Sequence, residues 1–120
     1  MMPTSELVDP AVRVFVDALN ANDPAAVRAA MTGNATMTDD GTPRLLGDWL
    51  EREVFDTHGR MDVIMQSPDG RDLIADYTNE QWGTMATRWH FDVVDDLVAH
   101  FDTGQAGQPP YDPTAWLGQP

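Results

Sequence analysis

Two neighbouring aspartates, Asp39 and Asp40, close the short alternating run ATMTD and stand directly before Gly41, Thr42 and Pro43. Asp is favoured in turns because its side chain bonds nearby backbone. It is also a simple general base, provided that its carboxylate faces a dry cavity in which lost hydration raises its proton affinity. Strand alternation separates the two roles: if Met37 faces inward, so does Asp39, while Thr36, Thr38 and Asp40 face away. Asp40 is then the turn residue and Asp39 the chemical candidate. Further along, an inward Thr87 carries Met85, Trp89 and Phe91 on its face, and a similar phase on the last strand turns Val98, His100 and Asp102 inward. A pocket holding Asp39, His100, Asp102 and Tyr77 among apolar walls has polar groups enough for acid–base work.

Composition narrows the chemistry. The 120-residue chain has no cysteine, which removes disulfides, thiolate zinc sites and a Cys nucleophile, and leaves oxygen and imidazole to do any catalysis. Its charge of −13, from seven arginines, no lysine and 20 acidic residues, repels phosphate backbones and anionic lipid, so neither nucleic acid nor membrane is an expected partner. No apolar run approaches a membrane span, and the first residues lack the basic and apolar regions of a signal peptide, so a cytoplasmic location is expected. No metal-ligand spacing or glycine-rich phosphate motif is visible, and no cofactor is expected.

The elements that must position these side chains are legible from their punctuation. Asp9–Pro10 and Asp23–Pro24 each read as an N-cap followed by a first-turn proline, giving a helical hairpin over 10–21 and 24–32. Val12, Phe15, Val16 and Leu19 form the apolar stripe of the first helix, leaving Asn20 outward, and Gly33 reads as the stop of the second. Asp48 with Glu51 gives a capping-box start for a third helix, whose stripe is Trp49, Leu50, Val54 and Phe55, with a stop at His58–Gly59. Beyond Gly59 the period becomes two: RMDVIMQ, the turn SPDG, RDLIADYTNE, QWGTMATRWHFDV, a turn near 94–96, and LVAHFD. Helices at one end and strands at the other indicate an α+β domain over 1–102, with three helices packed on one curved antiparallel sheet. Residues 103–120 read as a Pro/Gly-rich tail in which Tyr111, Trp116 and Leu117 would dock on the body or on a second subunit.

The phrase VRVFVDALNANDPAAVRAAM, the motif ATMTDDGTPR followed by Gly47, and this order of elements resemble the nuclear transport factor 2-like superfamily, and within it the ketosteroid isomerases and SnoaL-like polyketide cyclases. The resemblance covers about residues 10 to 102. It implies a cone-shaped curved sheet and three helices around one apolar pocket, with Asp39 on the position of the isomerases' general base. It also implies departures: Phe15 occupies the place of the isomerases' donating tyrosine, and Thr87 lies near that of their donating acid. The related epoxide hydrolases, of the limonene-epoxide-hydrolase type, use an Asp–Arg–Asp set. Asp102 falls in a comparable place, but Tyr77 and Asn79 stand where an inward arginine is needed.

Three functional readings remain open from sequence. The first is a cofactor-independent isomerase, cyclase or dehydratase acting on a small apolar carbonyl compound, with Asp39 as base and His100 or Tyr77 as acid or oxyanion donor. Phe15, Met37, Trp49, Phe55, Met85, Thr87, Trp89 and Val98 would then wall the pocket, and a homodimer is the expected assembly. The second is a binding module that holds such a ligand without chemistry. The third is an interaction protein in which the same aromatics and methionines are core filling, Asp39 is turn chemistry, and the sheet face serves a partner.

Overall fold

The computed structural model describes residues 2–107, so the tail residues Tyr111, Trp116 and Leu117 lie outside the described residues. Three helices pack on one curved six-stranded sheet, as the α+β reading requires. The strands are β1 (Met31–Asp39), β2 (Thr42–Arg44), β3 (Arg60–Gln66), β4 (Asp72–Asn79), β5 (Gly83–Val94) and β6 (Leu97–Gln105). Their order across the sheet is β2-β1-β6-β5-β4-β3. Every pair is antiparallel except β1 with β6, which run parallel. The chain arrives at β1 from the helical hairpin and lies alongside the last strand, so the sheet is mixed rather than wholly antiparallel.

Helix α1 (Pro10–Asn20) starts where its cap predicts, with the Asp9 carboxylate accepting from the N–H groups of Ala11 and Val12 at 2.8 and 3.2 Å. Helix α2 (Pro24–Ala29) is capped by Asp23, which accepts from Ala26 N–H at 3.1 Å. It stops three residues short of the expected end: Gly33 does not terminate it, because β1 has already begun at Met31. The apolar residues Val27, Ala30 and Met31, read as one helical stripe, thus straddle a helix and a strand. Asn20 is not idle on the surface either. Its amide exchanges two bonds with the backbone of Met61, at 2.9 and 2.7 Å, and so ties the end of α1 to edge strand β3.

Helix α3 (Leu46–Leu50) begins ahead of the expected Asp48 cap and has no side-chain cap at all. It continues as a π turn over Glu51–Phe55, in which Asp56 N–H reaches back to the Glu51 carbonyl at 2.8 Å. Such turns carry an extra residue and leave carbonyls poorly satisfied by the helix itself. Here the Glu53 carbonyl accepts from Thr57 Oγ1 at 2.9 Å and from the Tyr77 hydroxyl at 2.6 Å.

The core lies between α1 and the inner face of the sheet. Phe15, Phe91 and Phe101 are fully buried, with Phe15 centred 5.4 Å from each of the other two rings. Leu19, Val12, Val16 and Leu73 close around them with no exposed surface. Truncating Phe15→Ala removes the hub of this cluster and is expected to cost about 3–5 kcal/mol, the usual range for a buried phenylalanine. Urea unfolding monitored by circular dichroism measures it, and a loss below about 1 kcal/mol would show that α1 does not carry the core.

Candidate functional site

A cavity of about 400 Å³ opens between the inner face of the sheet and α3. Its walls are Trp49, Tyr77, Met85 and Trp89, with Trp82 at the rim and Asp39, Glu53, Asn79, Thr87, Thr103 and Gln105 among the polar lining residues. That volume lies within the usual range for small-molecule sites. The aromatic walls touch one another: Trp89 sits 6.3 Å from Trp49 and 6.0 Å from Tyr77, centre to centre.

Asp39 lines this cavity and Asp40 occupies the turn, as the alternation of β1 requires. Met37, two residues before, is buried in the core, while Thr36 and Thr38 reach the opposite face and bond His100. Asp40 adopts φ 51°. Its N–H bonds the Thr103 carbonyl at 2.7 Å, which docks the turn onto β6. Asp39 keeps one side-chain partner, the indole N–H of Trp49 at 3.4 Å from Oδ2. That distance is beyond the optimum for an N–H···O bond, so the carboxylate remains largely available.

His100 and Asp102 do not join Asp39. The cause is a β-bulge at Ala99: Val93 pairs with Val98, but Asp92 already pairs with His100. One extra residue reverses the phase of everything after it. Val98 points into the core, yet beyond the bulge it is Phe101 and Thr103 that are inward, and His100 and Asp102 lie on the outer face. There Asp102 accepts from Thr38 Oγ1, from Gly41 N–H at 3.0 Å and from Arg88 at 2.6 Å, and Arg88 also bonds Asp40 at 2.7 Å. An aspartate–arginine–aspartate set therefore exists, but on the outside, where it clamps the turn after Asp39. Gly104 makes room for it, since a Cβ there would lie 2.5 Å from Asp40 Oδ1 and 3.0 Å from the arginine.

Tyr77 is inward and buried, but its hydroxyl donates to the Glu53 carbonyl. Burial first, and the nearby Glu53 charge second, push its proton affinity well above that of a free phenol, so it stays protonated and committed to the π turn. Gly59 packs against it so closely that a Cβ would fall 1.9 Å from the phenolic oxygen. Thr87 is likewise spent: its hydroxyl donates to the Ala75 carbonyl and accepts from the Trp89 indole, each at 2.8 Å. Of the expected pocket walls, Trp49, Met85, Thr87 and Trp89 line the cavity. Phe15, Met37 and Val98 belong to the core instead, and Phe55 packs against its margin.

Asn79 and Glu53 are site residues that the pattern alone did not single out. The Asn79 side-chain oxygen accepts from the N–H groups of Gln81 and Trp82 at 3.0 and 2.7 Å, which fixes the amide and leaves its NH2 free to serve the cavity that Asn79 lines. The available signal was its place on the inward phase of β4, two residues after Tyr77. Among the described residues no three His, Asp or Glu side chains converge as a metal set, and no helix is long and apolar enough to cross a membrane.

Neither a family model nor a curated protein matches the chain by sequence. Solved structures do match its shape. A polyketide cyclase candidate from Sinorhizobium meliloti aligns at TM-score 0.70 and 16% identity, over 85% of this chain and 99% of that one. An NTF2-like protein of unknown function from Cytophaga hutchinsonii aligns at 0.62 and 15%, over 98% and 96%. A computationally designed 17-OHP binder aligns at 0.62 and 12%, over 78% and 86%. The fold is thus NTF2-like.

The outer clamp has a pH signature. Burial raises the proton affinity of Asp102, but hydrogen bonds from Thr38, Arg88 and the Gly41 amide, with the arginine's charge, outweigh it and hold the carboxyl below the ordinary 3.8. A depressed folded-state pKa contributes stability that is present above the unfolded value and lost as pH falls through the folded one. Asp102→Asn should therefore be destabilised relative to the parent at pH 6, and the gap should close below about pH 3.8, measured by thermal unfolding across pH. A gap that persists at acid pH would show that the clamp does not act through charge.

Proposed function

We propose that the cavity binds a small, largely apolar carbonyl compound and that Asp39 moves a proton on it. The observation that carries this reading is the position of Asp39: a carboxylate with one long hydrogen bond, set in a cavity walled by Trp49, Tyr77, Met85 and Trp89. Asp39 would take a proton from the carbon beside the carbonyl, the electron pair passing to the carbonyl oxygen, and return it to the same or a conjugated carbon. This is the bond change of isomerisation, and it prepares cyclisation or dehydration. The developing oxyanion needs a donor. Tyr77 and Thr87 have donated their hydroxyl protons elsewhere; of the other donors in the lining, the Thr103 hydroxyl and the Gln105 and Asn79 amides, we assign the role to the Asn79 NH2, because two backbone N–H groups fix its oxygen. With His100 on the outer face, no imidazole lines the cavity among the described residues.

A second reading, a module that holds such a ligand without turning it over, is favoured by those committed hydroxyls and by Phe15 in the place of the isomerases' donor. The designed protein of similar fold is by its description a binder, which supports a ligand-holding use of this shape. An epoxide hydrolase reading loses its support, because Arg88 and Asp102 do not line the cavity and Asp39, which does, has no arginine partner.

Deuterium exchange at the α-carbon of small cyclic ketones, followed by proton NMR, tests proton transfer without knowing the substrate. The parent should accelerate exchange, Asp39→Asn should lose about 10²–10⁴-fold of that rate with ligand affinity little changed, and Asn79→Ala should lose a smaller part. Undiminished exchange in Asp39→Asn would remove the base. Binding without exchange in the parent would select the holding module.

A further inference from the structure

We infer that the cavity selects a ligand carrying a positively charged nitrogen on its apolar body, a protonated amine or quaternary ammonium. The inference rests on reading this cavity as the ligand site, and it holds whether the ligand is turned over or only held.

The first ground is the balance of charge in the lining. Asp39, Asp40 and Glu53 line the cavity, and no Arg, Lys or His does. Asp40 is paired with Arg88, but among the described residues neither Asp39 nor Glu53 has an ion-pair partner. Arg88 is occupied by Asp40 and Asp102. A ligand that fills the cavity strips water from two unpaired carboxylates, and a cation on that ligand offsets the cost where a neutral ligand leaves it standing.

The second ground is the walls. Trp49, Tyr77, Trp82 and Trp89 line one cavity, and Trp82 remains 63% exposed at the rim. Indole and phenol faces carry the negative side of an aromatic quadrupole, and several around one space form the arrangement that takes up ammonium groups. Field and walls therefore agree in sign, and the chain's charge of −13 draws cations toward the mouth and disfavours carboxylate or phosphate ligands. A plain ketone satisfies the walls and Asn79 but leaves Glu53 unpaired. An apolar ammonium compound satisfies the walls and the carboxylates, and one that also carries a carbonyl oxygen takes the Asn79 N–H as well.

The test uses three probes of one shape: benzyltrimethylammonium, its uncharged carbon isostere neopentylbenzene, and the anion phenylacetate. Each is titrated into the full chain, with quenching of tryptophan fluorescence and calorimetry as readouts. The ammonium should bind roughly tenfold or more tighter than the isostere, and phenylacetate weakest of the three. Raising salt from about 0.05 M to about 0.5 M should weaken the ammonium and spare the isostere. Glu53→Gln should remove most of the preference while leaving neopentylbenzene affinity within about twofold, a control for folding as well as for charge. Equal or tighter binding of the neutral probe overturns the inference and leaves the cavity as a ligand site. Failure of all three probes to bind overturns both.

Discussion

Asp102 gathers donors from three separate parts of the sheet, namely Thr38 on β1, the Gly41 amide in the β1–β2 turn and Arg88 on β5. Because β1 and β6 run parallel and adjacent, these bonds decide where β1 ends and how its turn leaves the sheet. Arg88 completes the clamp through Asp40, but that pair is exposed and contributes little by itself; the half-sheltered Arg88–Asp102 pair does more. The consequence appears on the other face. With Thr38 and Asp40 held outside, period-two geometry leaves Asp39 no direction but inward.

What Asp39 meets there depends on a division of the aromatic residues into two groups. Phe15, Phe91 and Phe101 fill the space beneath α1 without leaving a void, whereas Trp49, Tyr77, Trp82 and Trp89 stand around one. Stiffness separates the two. Tyr77 is anchored to the Glu53 carbonyl and Trp89 to the Thr87 hydroxyl, so neither ring is free to collapse into the space. The same bonds consume the hydroxyls that would otherwise serve an oxyanion. The cavity is thus held open at the expense of the Tyr77 and Thr87 donors, and Asn79 is among the donors left.

The π turn belongs to this economy. An ordinary helical turn over 51–55 would engage the Glu53 carbonyl internally; the extra residue frees it for Tyr77 and carries Glu53 to the cavity wall. Gly59 then admits the phenol where any side chain would strike it. None of this is announced by residue pattern, since EREVF reads as an unbroken amphipathic helix.

The residues that cap helices and turn chains spoke for themselves: Asp9–Pro10 and Asp23–Pro24 started their helices, SPDG turned its hairpin, and alternation along ATMTD sent Asp39 inward and Asp40 out. Those signals are local, so a short window of chain contains their whole cause. The order of elements carried the NTF2-like resemblance for a related reason, because period and punctuation survive where identity has fallen to 16%. His100 and Asp102 were misplaced because a single bulged residue, Ala99, reverses phase without leaving a mark in composition. The parallel pairing of β1 with β6, the π turn, and the spent hydroxyls of Tyr77 and Thr87 arise from partners a dozen or more residues away or from competition among several acceptors. Only the folded chain resolves that competition, because the outcome depends on which groups the core brings within bonding distance.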